Sequence, residues 1–167
     1  MLSQDFKEFV QLLIENKVEY LIVGGYAVGI HGYPRFTGDL DIWLNPTSGN
    51  ALKILHCIRQ FGFESFHFTE KDFTAIGRVI QLGYPPLRIV LLSEIDGVQF
   101  TDCYQNKGMF EIEGMSVNFI SYQDLIKNKT SSGRLRDLDD IENLEIKTRL
   151  NSPPTSLELQ PASHHPL

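Results

Sequence analysis

The chain has 167 residues, 42% of them apolar and 22% charged, which fits one folded domain with a real core. Its formal net charge of −6 argues against a protein whose main task is gripping nucleic acid non-specifically, because that needs a basic surface. No run approaches the roughly 18 apolar residues of a membrane span, and no basic stretch leads into an apolar core at the N-terminus, so a cytoplasmic location is expected. The two cysteines, Cys57 and Cys103, have no metal-ligand spacing and are expected to be reduced core residues.

From the N-terminus, Leu2, Phe6, Phe9, Val10 and Leu13 recur at helical spacing, with Ser3 as N-cap and Asp5 in the first turn. Tyr20 to Val23 is an apolar run ending at Gly24-Gly25, which reads as a buried strand entering a tight turn. A short helix follows over Tyr26 to His31, closed by Gly32 and Pro34. Asp39 to Leu44 reads as a second strand, stopped by Asn45-Pro46. Thr47 or Ser48 then caps a helix with Leu52, Leu55 and Ile58 inward and Gly62 at its end.

In the second half, Phe73 to Ile80 and Leu87 to Leu92 read as strands, with Tyr84-Pro85-Pro86 between them. Met115 to Ile120 alternates and forms another strand after a turn near Glu113-Gly114. Ser121 with Asp124 opens a helix to about Lys129, and a last helix carries Leu138, Ile141 and Leu144 on one face. The expected fold class is α+β, or α/β-like: one domain over residues 1–150 and a disordered, proline-containing tail over 151–167.

The chemistry lies in the first third. A strand that ends in two glycines and starts a helix offers free backbone N–H groups, and Gly24 and Gly25 have no side chains to keep a phosphate away. Asp39 and Asp41 stand two apart on a strand, so both project from one face, while Leu40 and Ile42 lock the other into the core. Two adjacent carboxylates repel unless a cation sits between them, and hard oxygen ligands suit Mg²⁺. Arg35 and Thr37, just ahead of the pair, are candidates for phosphate or ribose contacts or for a plain loop role. His31 has no ligand partner at helical spacing and reads as structural.

Gly24-Gly25 followed by Arg35-x-Thr37-x-Asp39-Leu40-Asp41-Ile42-Trp43 resembles the signature of small bacterial nucleotidyltransferase-like proteins. These belong to the DNA polymerase beta superfamily, beside minimal nucleotidyltransferases and the nucleotidyltransferase toxins of abortive-infection systems. The likeness continues through Arg88-Ile89-x-Leu91-Leu92 and Ile95-Asp96-Gly97-Val98. It extends to Leu125-Ile126-x-x-Lys129 and Gly133-Arg134-x-x-Asp137-Leu138-x-Asp140, covering nearly all of residues 1–147.

The resemblance implies a short mixed sheet flanked by helices, with C-terminal helices packed on the body. It implies Mg²⁺ at Asp39 and Asp41 as catalytic metal ligands. The reaction would transfer a nucleoside monophosphate from a nucleoside triphosphate to an acceptor hydroxyl of a protein, RNA or small molecule, with pyrophosphate leaving. Lys129 and Arg134 are implied as cations reaching the triphosphate; the bland reading pairs them with Asp137 or Asp140. A protein partner in a toxin–antitoxin or defence pair is a further implication.

One departure stands out. Two-metal transfer holds its ions about 4 Å apart and usually needs a third carboxylate on a neighbouring strand. In the family that carboxylate falls at the position of Val90, so a nucleotide-binding or regulatory module with impaired catalysis is the alternative reading. Glu94 and Asp96 lie too far along the chain to replace it without an unusual bend.

Overall fold

The structure, a computed structural model, describes residues 2–63 and 67–152. Its elements run α1 (Gln4–Glu15), β1 (Tyr20–Val23), α2 (Gly24–Ile30), β2 (Asp39–Leu44), α3 (Ser48–Phe61), α4 (Glu70–Thr74), β3 (Val79–Tyr84) and β4 (Leu87–Leu92). They continue with α5 (Phe100–Gln105), β5 (Gly108–Ile112), β6 (Met115–Phe119), α6 (Tyr122–Ser132) and α7 (Leu135–Asn151). The strands form one six-stranded mixed sheet in the order β3-β4-β2-β1-β6-β5. β1 runs antiparallel to β2, which runs parallel to β4. This is the α+β, mixed-sheet architecture expected from the sequence.

The helix starts follow from local chemistry. Ser3 Oγ accepts from the Phe6 N–H at 3.3 Å, Thr47 Oγ1 from Asn50 at 3.3 Å and Ser121 Oγ from Asp124 at 3.1 Å. Each satisfies a first-turn donor that the helix itself leaves unpaired. α1 and α3 pack together through an edge-to-face pair of Phe9 and Phe61, and Cys57 Sγ donates to the Leu12 carbonyl at 3.4 Å. Phe9, Val10, Leu13, Leu21, Ile22, Leu40, Ile42 and Ile54 are fully buried. Side chains of this size contribute about 1.5–3 kcal/mol each when taken out of water, so this core fixes the strand that carries Asp39 and Asp41. Both cysteines are free and buried. His31 is structural: its Nε2 meets the Ile120 carbonyl at 2.7 Å, and its ring packs edge-on to Phe110 and Tyr122.

Several local expectations change. Phe73 to Ile80 is not one strand. Thr69 N–H donates to Asp72 Oδ2 at 2.8 Å, which starts α4 at Glu70, and β3 begins only at Val79. α2 starts at Gly24, two residues earlier than Tyr26. Leu52 faces outward at 57% exposure because Ala51, Ile54, Leu55 and Ile58 hold the inner face of α3. On α7, Leu138 is exposed, and the inner face is Asp137, Asp140 and Leu144. α5 and β5 were not expected; the latter pairs with β6 as a hairpin. α7 reaches Asn151 with Ser152 as its C-cap, and the rest of the expected tail lies outside the described residues. Among the described residues no helix is long and apolar enough to cross a membrane.

Candidate active site

β1 and β2 pair so that Val23 lies opposite Asp41, which sets the Gly24 turn directly beside the carboxylate pair. Gly24 has φ +66°, and a Cβ there would collide with Asp41 Oδ2. Only glycine meets both demands. A Cβ on Gly25 would stand 2.9 Å from Thr37 Oγ1, and Thr37 Oγ1 in turn donates to the Asp39 carbonyl at 3.3 Å. Val23, at the N-cap, has no side-chain acceptor for the first N–H groups of α2, so they remain available to a ligand.

The two carboxylates differ sharply in their surroundings. Asp39 is forked by Arg88, with Nε to Oδ1 and Nη2 to Oδ2 both at 3.0 Å. Asp41 has no hydrogen-bond or ion-pair partner among the described residues. Burial first, and then the Asp39 charge beside it, push the Asp41 carboxyl up to about 6. The charges of Lys129, Arg134 and Arg35 pull in the opposite direction and do not cancel the rise.

Those three cations belong to a network that joins the Arg35 loop to α6 and α7. Arg35 forks onto Asp140, Nε to Oδ1 at 2.7 Å and Nη2 to Oδ2 at 2.9 Å. Lys129 Nζ lies 3.0 Å from Asp137 Oδ1 and 2.9 Å from Asp140 Oδ2. Arg134 Nε reaches Asp137 Oδ2 at 2.9 Å, with 78% of its side chain still exposed. Burial alone raises Asp137, but hydrogen bonds from Arg134 and Lys129 outweigh it and hold this carboxyl down at about 2. Asp140 is lowered in the same way, its burial overcome by Arg35 and Lys129. Arg35 and Lys129 are thus committed to the acids of α7. Arg134 is the network cation with its outer N–H groups still open to solvent.

The donor set suits one Mg²⁺. Asp41 is an unpartnered, largely desolvated carboxylate beside a second one, and Gly24 keeps the approach clear. Mg²⁺ is commonly held by one or two carboxylates plus substrate phosphates and water, which asks no more of the protein than this. Among the described residues no carboxylate on the neighbouring strand β4 faces the pair. The β2–β4 register sets Asp39 opposite Arg88 and Asp41 opposite Val90, so the site face of β4 offers a guanidinium and a buried valine. Among the described residues no group of three or more His, Cys, Asp or Glu could hold a metal. Glu94 is exposed beyond the end of β4, and the Asp96 carbonyl accepts from Asn128 at 2.9 Å in the following loop. A cavity of about 590 Å³ lies along α2 and is lined by Gly25, Gly29, Phe36, Thr37 and Leu87. Leu87 sits on the other face of β4 from Arg88, so this cavity approaches the pair only through Gly25 and Thr37.

No family model and no curated protein matches the chain. A solved structure does: that of a protein from Thermotoga maritima assigned as a nucleotidyltransferase, with a TM-score of 0.54 and 16% identity, over 87% of this chain and 91% of that one. The fold is that of a nucleotidyltransferase. At this identity the likeness speaks for the nucleotidyltransferase fold and not for a substrate.

One feature of the site escaped sequence reasoning: Arg88 as the partner of Asp39, whose signal was its place two residues before Val90 on the same strand face. The pairing of Lys129 with Asp137 and Asp140, the bland reading of the sequence, is what the structure shows, though buried and not on the surface.

Gly24→Ala tests the cradle. The left-handed backbone costs an alanine about 1–2 kcal/mol, and its methyl group displaces the Asp41 carboxylate. The expected result is a modest drop in melting temperature with at least a roughly tenfold loss of Mg²⁺–triphosphate affinity, read from the fluorescence of Trp43, the chain's single tryptophan.

Proposed function

We propose that the chain binds a nucleoside triphosphate with Mg²⁺ at Asp39 and Asp41 and transfers its nucleotidyl group to an acceptor hydroxyl. The observation that carries this reading is the unpartnered Asp41 beside Asp39, with the Gly24-Gly25 turn against them on a nucleotidyltransferase fold. Mg²⁺ held there would neutralise phosphate charge and polarise the phosphorus–oxygen bonds. The backbone N–H groups of Gly24 and Gly25 hold phosphate oxygens, and Arg134 meets the charge of the leaving pyrophosphate. Arg35, through Asp140, and Thr37, through the Asp39 carbonyl, fix the loop that leads into β2. In the reaction the acceptor oxygen bonds to the α-phosphorus, the bond from that phosphorus to the bridging oxygen breaks, pyrophosphate departs, and the acceptor's hydroxyl proton passes to solvent water.

One observation favours a second reading, a nucleotide-binding or regulatory module. Val90 lies opposite Asp41, where an acceptor-activating carboxylate would stand. Turnover in the natural chain is therefore expected to be slow.

The test pairs binding with transfer. Calorimetry with the four common triphosphates and Mg²⁺ should show binding, and Asp41→Asn should weaken it by at least about tenfold, or ~1.4 kcal/mol. Label from an α-labelled triphosphate should pass to a component of cell extract with the natural chain and not with Asp41→Asn. Binding without transfer leaves the second reading standing. No binding of any triphosphate would falsify both.

A further inference from the structure

We propose that β3, a free edge of the sheet, pairs antiparallel with the β3 of a second copy of this chain about a two-fold axis through Gln81. The inference concerns assembly and does not depend on the nucleotide reading above.

The backbone groups that β3 leaves over come first. β3 has β4 on one side and no strand on the other. The phase of the β3–β4 ladder is fixed at both ends. Ser93 N–H donates to the Arg78 carbonyl at 3.2 Å, whereas Arg88, opposite Gly83, turns its N–H away to the Gly38 carbonyl at 3.1 Å. Antiparallel ladders alternate residue by residue, so Ile80 and Leu82 bond inward to β4. Val79, Gln81 and Gly83 therefore direct their N–H and C=O groups outward, and among the described residues no hydrogen bond reaches them.

Natural sheet edges are usually blunted by charge or proline, because an unpaired ladder is a template for a further strand. The opposite edge is protected in this way: β5 carries exposed Glu111, and Glu113 just past it pairs with Lys7 at 3.1 Å. β3 reads Val79-Ile80-Gln81-Leu82-Gly83-Tyr84, with neither a charged residue nor a proline. Val79 and Tyr84 on it are 57% and 83% exposed. This edge is built to be covered.

The order of residues around Gln81 names the occupant, because it is self-complementary. A two-fold axis there sets Ile80 beside Leu82 of the second copy, which continues the buried face from one sheet into the next. Val79 falls beside Gly83, which has no side chain to obstruct it. Arg78, half exposed, falls beside Tyr84, and a guanidinium stacks favourably on an aromatic ring. At the axis two Gln81 amides meet, and each can both donate and accept. The same register pairs the outward backbone groups of 79, 81 and 83 with one another, whereas a slip of one residue would mismatch every one of them. The sheet registers place Val90 beside Gln81 and Asp41 beside Val90, all in one row. The assembly thus sets two carboxylate pairs on one side of a continuous sheet, about 24 Å apart at ~4.8 Å per strand.

Sedimentation velocity of the full chain over roughly 1–300 µM, without nucleotide or metal, should show monomer giving way to dimer. Gln81→Lys sets like charges across the axis and should weaken the dimer by at least about tenfold. Gln81→Pro removes one outward N–H and spares the β4 ladder, with the same expected result. Circular dichroism and melting temperature establish folding, and the lysine variant suffices if the proline chain does not fold. Hydrogen exchange followed by NMR identifies the surface: the amides of Val79, Gln81 and Gly83 should slow as the dimer forms, while those of Ile80 and Leu82 stay as they are. A monomer throughout the range, a dimer that the folded variants retain, or a dimer in which the three outward amides still exchange freely would overturn the proposal.

Discussion

Lys129→Met is expected to lower the unfolding free energy by about 3–5 kcal/mol, the usual cost of stripping the partner from a buried charge. Lys129 is only 4% exposed and is shared by Asp137 and Asp140, which are 4% and 0% exposed, so neither acid can turn to water for compensation. Arg35 and Arg134 still serve one acid each, which keeps the variant foldable. The pH dependence provides the control. In the natural chain Asp137 titrates in the folded state at about 2, below its ordinary 3.8. Its stabilisation is therefore fully present above pH 3.8 and is lost as pH falls through the folded value of about 2. Without Lys129 that depression shrinks, so the gap between variant and wild type should narrow as pH drops from 7 toward 3. Urea denaturation followed by circular dichroism at both pH values measures it. A gap under about 1 kcal/mol at pH 7 would mean that Lys129 is screened by solvent and the network is not load-sharing.

Val90→Asp is expected to raise Mg²⁺-dependent label transfer by about a hundredfold, equivalent to ~2.7 kcal/mol of transition-state stabilisation. The new carboxylate would lie opposite Asp41 on the site face. It would also stand two residues from Arg88, about 6–7 Å along the strand, within reach of a guanidinium. Two effects then add: an oxygen ligand appears for the acceptor-side ion, and Arg88 gains an alternative to Asp39. Transfer by Val90→Asp should vanish when Asp39→Asn is added, which separates it from contaminating activity. Robust transfer by the natural chain that Val90→Asp leaves unchanged or lowers would show that acceptor activation comes from elsewhere, and that Val90 is not what limits the reaction.

What was legible in the sequence was mostly local. The strand into Gly24-Gly25, the period of two that puts Asp39 and Asp41 on one face, and the caps at Ser3, Thr47 and Ser121 depend on near neighbours. The mixed-sheet fold followed from those pieces and the family resemblance. Failures came where long-range pairing decides. The Arg88–Asp39 fork requires knowing that β4, not β1, lies on that side of β2 and in which register. On α7, apolar periodicity pointed at Leu138, yet the helix turns Asp137 and Asp140 inward because cations from two other segments await them. α4 was misread as strand because Phe73 and Ile80 are apolar, although Thr69 and Asp72 carried a helix-start signal. The pairing of Lys129 with the acids of α7 could be read from the sequence as the bland alternative, but not the fork of Arg35 onto Asp140, which spans 105 residues.

The order in which the chain is made has a consequence for the charge balance of the pair. Asp39 and Asp41 leave the ribosome first, and Arg88 is synthesised 49 residues after Asp39. The acid that anchors Arg35 comes later still, 105 residues after it. Domains form as units while synthesis proceeds from the N-terminus. A nascent or prematurely terminated chain that stops before α7 would display the carboxylate pair and its turn with the Arg35 loop untethered. Lys129, if already made, would lack both of its acids. The anchoring of the Arg35 loop is therefore deferred to the last helix, while the spacing of Asp39 and Asp41 is set earlier, by β2 itself.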